Sequence, residues 1–197
     1  MLDSILINLD YIKTFPFYST LLLDDQKEIL RFTGASLSIA DNSYYSYVNG
    51  YSTITCPDGF QPIRMRHPEQ PTKMDIIVST NLVEMFQRLK PSPEEYCLLK
   101  ILIFLNLNES KLSPETVLII NCERQKYSST LLSYLQLQKG PTSGAVRFTE
   151  ILNAVGTIFQ YGDKLKDFQR IELIAARHRA EPAKCTPLPM LKYVMDL

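Results

Sequence analysis

The stretch from Tyr11 to Arg31, YIKTFPFYSTLLLDDQKEILR, constrains this chain more than any other. A helical pattern closes near Lys13. Pro16 then fixes φ and removes an amide donor, and Phe15, Phe17 and Tyr18 crowd the turn, so the chain bends there and buries rings. A second helix is predicted to open at the acidic pair Asp24 and Asp25, with Asp25 as N-cap and Glu28 three residues later closing a capping box. Local chemistry alone therefore specifies an elbow between two helices.

Before the elbow, Ile5, Leu6, Leu9 and Ile12 recur at helical spacing, which starts the first helix almost at Met1. After it, Ile29, Leu30, Leu37, Ile39, Ala40 and Tyr44 carry a buried stripe to about Tyr47, and Gly50 ends the helix. Tyr51 to Cys56, followed by Pro57-Asp58-Gly59-Phe60, reads as a short strand and a tight turn and is the one convincing β signal. Pro62 to Pro71 reads as a loop. A helix follows from Met74 to Leu89, with Ile76, Ile77, Leu82, Met85 and Phe86 inward.

Ser92-Pro93-Glu94-Glu95 is a helix start with a capping box and proline at the first helical position. The helix it opens, Tyr96 to Leu105, is apolar almost all round, which places it in the middle layer of an all-α domain. Ser113-Pro114-Glu115 repeats the start signal for a helix carrying Leu118, Ile119, Tyr127, Leu131, Leu132 and Leu135, broken at Gly140-Pro141. Phe148, Ile151, Leu152, Val155, Ile158 and Phe159 then keep helical spacing, extended by Leu165, Phe168 and Ile171 toward Arg177. Thr186-Pro187 precedes a last short helix through Leu191, Tyr193, Val194 and Leu197.

A chain of 197 residues suits one well-buried domain. Lys+Arg and Asp+Glu both number 21, so no overall field favours nucleic acid or a membrane surface. Cys56, Cys97, Cys122 and Cys185 lie far apart, which argues against a zinc site or a disulfide scaffold and for reduced thiols. Asp3 near the start, with no cationic segment before an apolar run, speaks against a signal peptide. The apolar run from Leu98 to Leu105 is interrupted by Lys100 and too short to span a bilayer, so the expectation is a soluble intracellular protein. No catalytic or metal-binding motif is present, and neither His67 nor His178 has a nucleophile or carboxylate nearby in sequence. The reading is of a protein that is not an enzyme and carries no cofactor or metal.

Lys13, Pro16 three residues on, the aromatic pair, Leu21, Leu23, Asp24-Asp25-Gln26 and then Ile29-Leu30-Arg31 together resemble the signature of the nuclear hormone receptor ligand-binding domain. Phe15-Pro16-Phe17 and the Pro57-Asp58-Gly59 turn resemble the nematode branch of that family. The likeness extends through Glu95 to Asn106, Lys111 to Pro114, Arg124 to Tyr127, Leu131 to Gln136 and Gly144 to Leu152. It implies a three-layer antiparallel helical sandwich with one small β-hairpin, an apolar pocket, and a groove for a helical L-x-x-L-L peptide.

Such a peptide presents an apolar stripe and two unsatisfied ends, carbonyls at its C-terminus and N–H groups at its N-terminus, so the groove needs a cation and a carboxylate. The resemblance gives Lys13 as the cation, Leu6 and Leu9 as part of the floor, and Arg31 on the second wall. Tyr193, Val194 and Asp196 would come from the last helix, with Asp196 as the acid; the alternative register, Met190 to Met195, places Tyr193 there instead. It assigns Leu37, Tyr44, Tyr45 and Phe60 to the ligand pocket, although Tyr44, Tyr45 and Tyr47 suit helix packing equally well. Tyr45 occupies the place of a family arginine that binds a ligand carboxylate, and Lys27 stands where the groove is usually apolar. Arg147, Phe148, Ile151 and Val155 fall on the family's dimerisation face.

The chain opens inside the family's third helix, and four dispersed cysteines cannot supply the eight of a zinc-containing DNA-binding domain. Residues 1–197 are therefore expected to form a ligand-binding domain lacking its first helices, with no direct DNA or membrane binding. Its expected place is the nucleus, and also the cytoplasm. Expected partners are helical coregulator peptides, a homo- or heterodimer with nuclear receptors, and a small lipophilic ligand. The alternative, motivated by the long stripe from Phe148 to Phe159, is a ligand-independent helical dimerisation module that titrates other receptors.

Overall fold

The elbow forms as a 3₁₀ turn, Pro16–Thr20, between α1 (Leu2–Lys13) and α2 (Leu23–Val48) in the computed structural model, which describes residues 2–66, 70–178 and 189–197. Its rings converge on Phe104. The Phe15 centroid lies 5.4 Å from that of Phe104, Phe17 stacks on it at 5.9 Å, and Tyr18 meets it edge-on at 6.1 Å. The Tyr18 hydroxyl donates to the Gln26 carbonyl and the Gln26 amide donates to the Leu21 carbonyl, so the turn is tied to the first turn of α2.

Phe104 belongs to α5 (Pro93–Leu105), whose Leu99, Ile103, Phe104 and Leu105 expose nothing. This helix is enclosed by α2, α6 (Pro114–Lys139) and α7 (Pro141–His178), as its all-round apolar pattern requires. The expected capping box at Ser92 and Glu95 forms, and the Ser113 side chain caps α6. Gly140, at φ 83°, supplies the left-handed backbone that separates α6 from α7. At Gly162 a Cβ would collide with Ser36, so that glycine allows α7 to lie close against α2.

Four local expectations are corrected, and one helix start shows a cap that was not foreseen. Asp25 does not cap its own helix: the N-cap is Leu22, without a side-chain bond. The buried Asp25 carboxylate instead accepts from the Ser113 amide (3.1 Å), the Ser113 hydroxyl (2.5 Å) and the Thr116 hydroxyl (2.6 Å), tying the start of α2 to the start of α6. Among the described residues no strand forms, because residues 54 and 55 give their backbone donors to helices: the Ile54 amide bonds to the Ser79 carbonyl and the Thr55 amide to Ser46 Oγ. The turn survives, closed by the Cys56 amide on the Phe60 carbonyl (2.8 Å).

Pro62–Arg66 is a short helix, α3, where a loop was expected; proline sits at its first position, where no amide donor is needed. Next, α4 (Lys73–Leu89) starts with an unforeseen capping box, Thr72 with Asp75. Finally Ile76, Leu118, Leu152 and Ile171, all expected inward, are exposed. Thr186, Pro187, Cys185 and His67 lie outside the described residues, and α8 is Pro189–Val194.

Candidate functional site: the α1, α2 and α8 surface

Spacing splits α1 into two faces. Ile5, Asn8 and Ile12 have no exposed surface, whereas Leu6 is 42% exposed, Leu9 is half-buried and Lys13 is exposed. Lys13 has one ion-pair partner among the described residues, Asp10 at 3.9 Å, a solvated i,i+3 contact of little energetic weight. The outer face of α1 is thus an apolar stripe ending in an available cation. Lys27, one turn into α2, is likewise exposed, with its ammonium 2.9 Å from Asp24.

The last helix packs on α2. Val194 and Met195 are fully buried, and Val194 sits over Gly34, where a Cβ would come within 2.7 Å of its Cγ1. The turn after α8 then places Asp196 among cations. Its carboxylate lies 2.9 Å from Arg31, 3.1 Å from Lys166 and 3.8 Å from Arg170, while the Arg170 Nε donates to the Asp196 carbonyl. Burial pushes the Asp196 carboxyl up, but hydrogen bonds and charge from Lys166 and Arg31 outweigh it and hold the group below the usual carboxylate range.

Arg31 also bonds to Glu28 at 3.0 Å, and the Tyr193 hydroxyl reaches the same carboxylate at 3.4 Å. Lys166 is 8% exposed and donates to the Arg31 carbonyl as well, so α2, α7 and the C-terminal segment share one charge network. Arg31, Tyr193, Val194 and Asp196 are therefore brought together, whereas the polar partners of Asp196 do not include Lys13. Sequence reasoning missed Lys166, Arg170, Glu28 and Gly34. Lys166 and Arg170 lie one turn apart on α7, a pairing whose meaning appears only once the C-terminus is seen beside it.

The residues assigned to a ligand pocket are dispersed. Leu37 is buried in the core and Phe60 is exposed at the turn. Tyr44 stacks on Tyr96 at 3.5 Å beside Phe86, which is helix packing, and Tyr45 is half-buried. A shallow open cleft lies elsewhere, bounded by Glu28, Arg31, Phe32, Leu107 and Lys111.

The residues assigned to dimerisation face inward. Ile151 and Val155 are buried in their own chain and Phe148 is half-buried. Arg147 makes a double bond pattern to Glu95, at 3.0 and 2.6 Å, below the start of α5. Among the described residues, the large apolar side chains exposed on α7 are Val146, Leu152, Ile171 and Ile174.

A family profile described as the ligand-binding domain of nuclear hormone receptor matches residues 3–168. Among similar proteins of Caenorhabditis elegans, nuclear hormone receptor family member nhr-167 is 26% identical over 167 residues, 82% of this chain and 48% of the relative. Member nhr-153 is 27% identical over 184 residues, 91% of this chain and 44% of the relative. Member nhr-268 is 37% identical over 82 residues, 41% of this chain. The chain spans less than half the length of these relatives.

Proposed function

This chain belongs to the nuclear hormone receptor ligand-binding domain family, a family of non-enzymatic transcription regulators, and from that premise we propose that it recruits a helical coregulator through the outer face of α1, the start of α2 and α8. Lys13 receives the carbonyl end of an L-x-x-L-L helix, Leu6 and Leu9 receive its leucines, and Arg31 stiffens the far wall. The observation that carries the reading is the stripe of exposed Leu6, half-buried Leu9 and exposed Lys13 beside a docked C-terminal helix.

Asp196 is the acid for the peptide's N–H end. It is already compensated by three cations, so it contributes less than Lys13. Residues 1–197 act as one domain, a three-layer sandwich with α5 in its middle, in the nucleus, with no DNA contact of their own. A lipophilic ligand occupies the interior rather than a cofactor.

Fluorescence-polarisation titration with an L-x-x-L-L peptide tests this. We expect Lys13→Ala to weaken binding about tenfold, as loss of a charge-assisted contact to helix carbonyls implies. Unchanged affinity would remove the clamp.

A second reading has its own support. The exposed Val146, Leu152, Ile171 and Ile174 on α7 suit a dimerisation module. In that case sedimentation shows a dimer that Leu152→Glu dissociates.

A further inference from the structure

The connection from α5 to α6 makes a fixed wall beside the start of α2. At one end Arg124 donates from Nε and Nη2 to the Leu105 carbonyl (3.0 and 2.9 Å) and pairs with Glu109 (3.0 Å); at the other, Asp25 holds Ser113. Leu107 and Leu112, between these anchors, are only half-buried. With Phe32 and the buried Ile29 they line the shallow cleft. Phe32 is 38% exposed although its ring already packs on Phe159 at 5.3 Å, so part of its surface is left for a further neighbour.

The charges around this apolar patch are unequal. Glu28 accepts from Arg31 Nε and Nη2 (3.2 and 3.0 Å) and from the Tyr193 hydroxyl (3.4 Å), so its carboxylate is satisfied. Arg31 is shared between Glu28 and Asp196. Lys111 is exposed, and among the described residues its ammonium has neither an ion-pair nor a hydrogen-bond partner. The cleft thus offers apolar surface and one uncompensated cation.

Arg31 also stands between the cleft and the groove, since it bounds the one and holds Asp196 of the other. With Lys13 at the carbonyl end of a docked helix, the N-terminal end of that helix points to Asp196, and the chain leading into it passes over Arg31. We infer that the cleft receives this leading segment of the partner, through one aromatic or branched apolar side chain against Phe32, Leu107 and Leu112 and a carboxylate on Lys111. The inference rests on the reading of the α1, α2 and α8 surface as the helix groove. An acid at that place is favoured twice, by Lys111 and by the positive end of the partner's own helix dipole. The preferred partners are those whose L-x-x-L-L motif follows an acidic segment carrying an aromatic residue.

Fluorescence polarisation with the full chain tests it. The probes are a labelled L-x-x-L-L peptide with a six-residue Gly-Ser lead, and a set in which one phenylalanine and one glutamate occupy each pair of adjacent positions in that lead. At least one of the set should bind about tenfold tighter than the Gly-Ser peptide, the scale expected from partly burying an aromatic ring and adding a rim ion pair. Lys111→Glu and Phe32→Ala should each remove most of that gain and leave the affinity for the Gly-Ser peptide unchanged, whereas Lys13→Ala should weaken both. Lys111→Glu alters an exposed side chain, so its result stands whether or not Phe32→Ala folds. No gain across the set, or a gain untouched by Lys111→Glu, would overturn the cleft as a contact and leave the groove standing. No binding by any of the peptides would overturn the groove reading together with it.

Discussion

Gly34 decides where the C-terminal helix can sit, since a Cβ there would meet Val194 at 2.7 Å. Gly34→Ala should leave α2 intact, because alanine is worth about 1 kcal/mol more than glycine inside a helix, while displacing α8. The check is amide hydrogen exchange, expected to rise over residues 189–197 with the melting temperature held or raised. Asp196 makes the same docking acid-sensitive. Its folded-state pKa is depressed, so its contribution is fully present above the ordinary carboxylate value of about 3.9 and is lost as pH falls through the lower folded value. Exchange in the C-terminal segment should therefore increase at acid pH in the wild type and change much less with pH in Asp196→Asn.

At the scale of elements, two buried carboxylates hold helix starts that lie far apart in sequence. Asp25 joins α2 to α6, and burial, which opposes its charge, is outweighed by the bonds from Ser113 and Thr116 that keep its pKa low. Asp25→Ala should destabilise the fold by about 2–3 kcal/mol in chemical denaturation, the value of a helix cap combined with charged hydrogen bonds. Glu95 caps α5 and is paired with Arg147, both nearly buried. Arg147→Met leaves that carboxylate uncompensated and should cost about 3–5 kcal/mol, largely recovered when Glu95→Gln is added. These pairs mark the limit of what the sequence discloses. Ser92 and Ser113 were legible as caps because their partners are three residues away; Asp25 looked like a cap of its own helix because its true partners are 88 and 91 residues away. Thr72 with Asp75 carried the same local signal as Ser92 and was missed in a run dense in proline and charge. Ile171 fits the inward pattern of α7 by spacing, and only the course of the neighbouring helices shows it exposed.

For the whole molecule, the elbow is the organising device: it turns α1 back against α2, anchors both on α5, and leaves Leu6, Leu9 and Lys13 outward. The elbow, the helix order and the enclosed α5 were readable from residue chemistry; the charge network that holds the C-terminus was not, because it unites residues from α2, α7 and the chain end. Among the described residues no helix is long and apolar enough to cross a membrane. In the proposed function a partner helix docks on the α1, α2 and α8 surface. Methyl NMR of the leucine-, isoleucine- and valine-labelled protein, titrated with an L-x-x-L-L peptide, locates the contact directly. Docking there should give concentration-dependent shifts at Leu6, Leu9 and Val194; shifts confined to Val146, Leu152, Ile171 and Ile174 on α7 would contradict it.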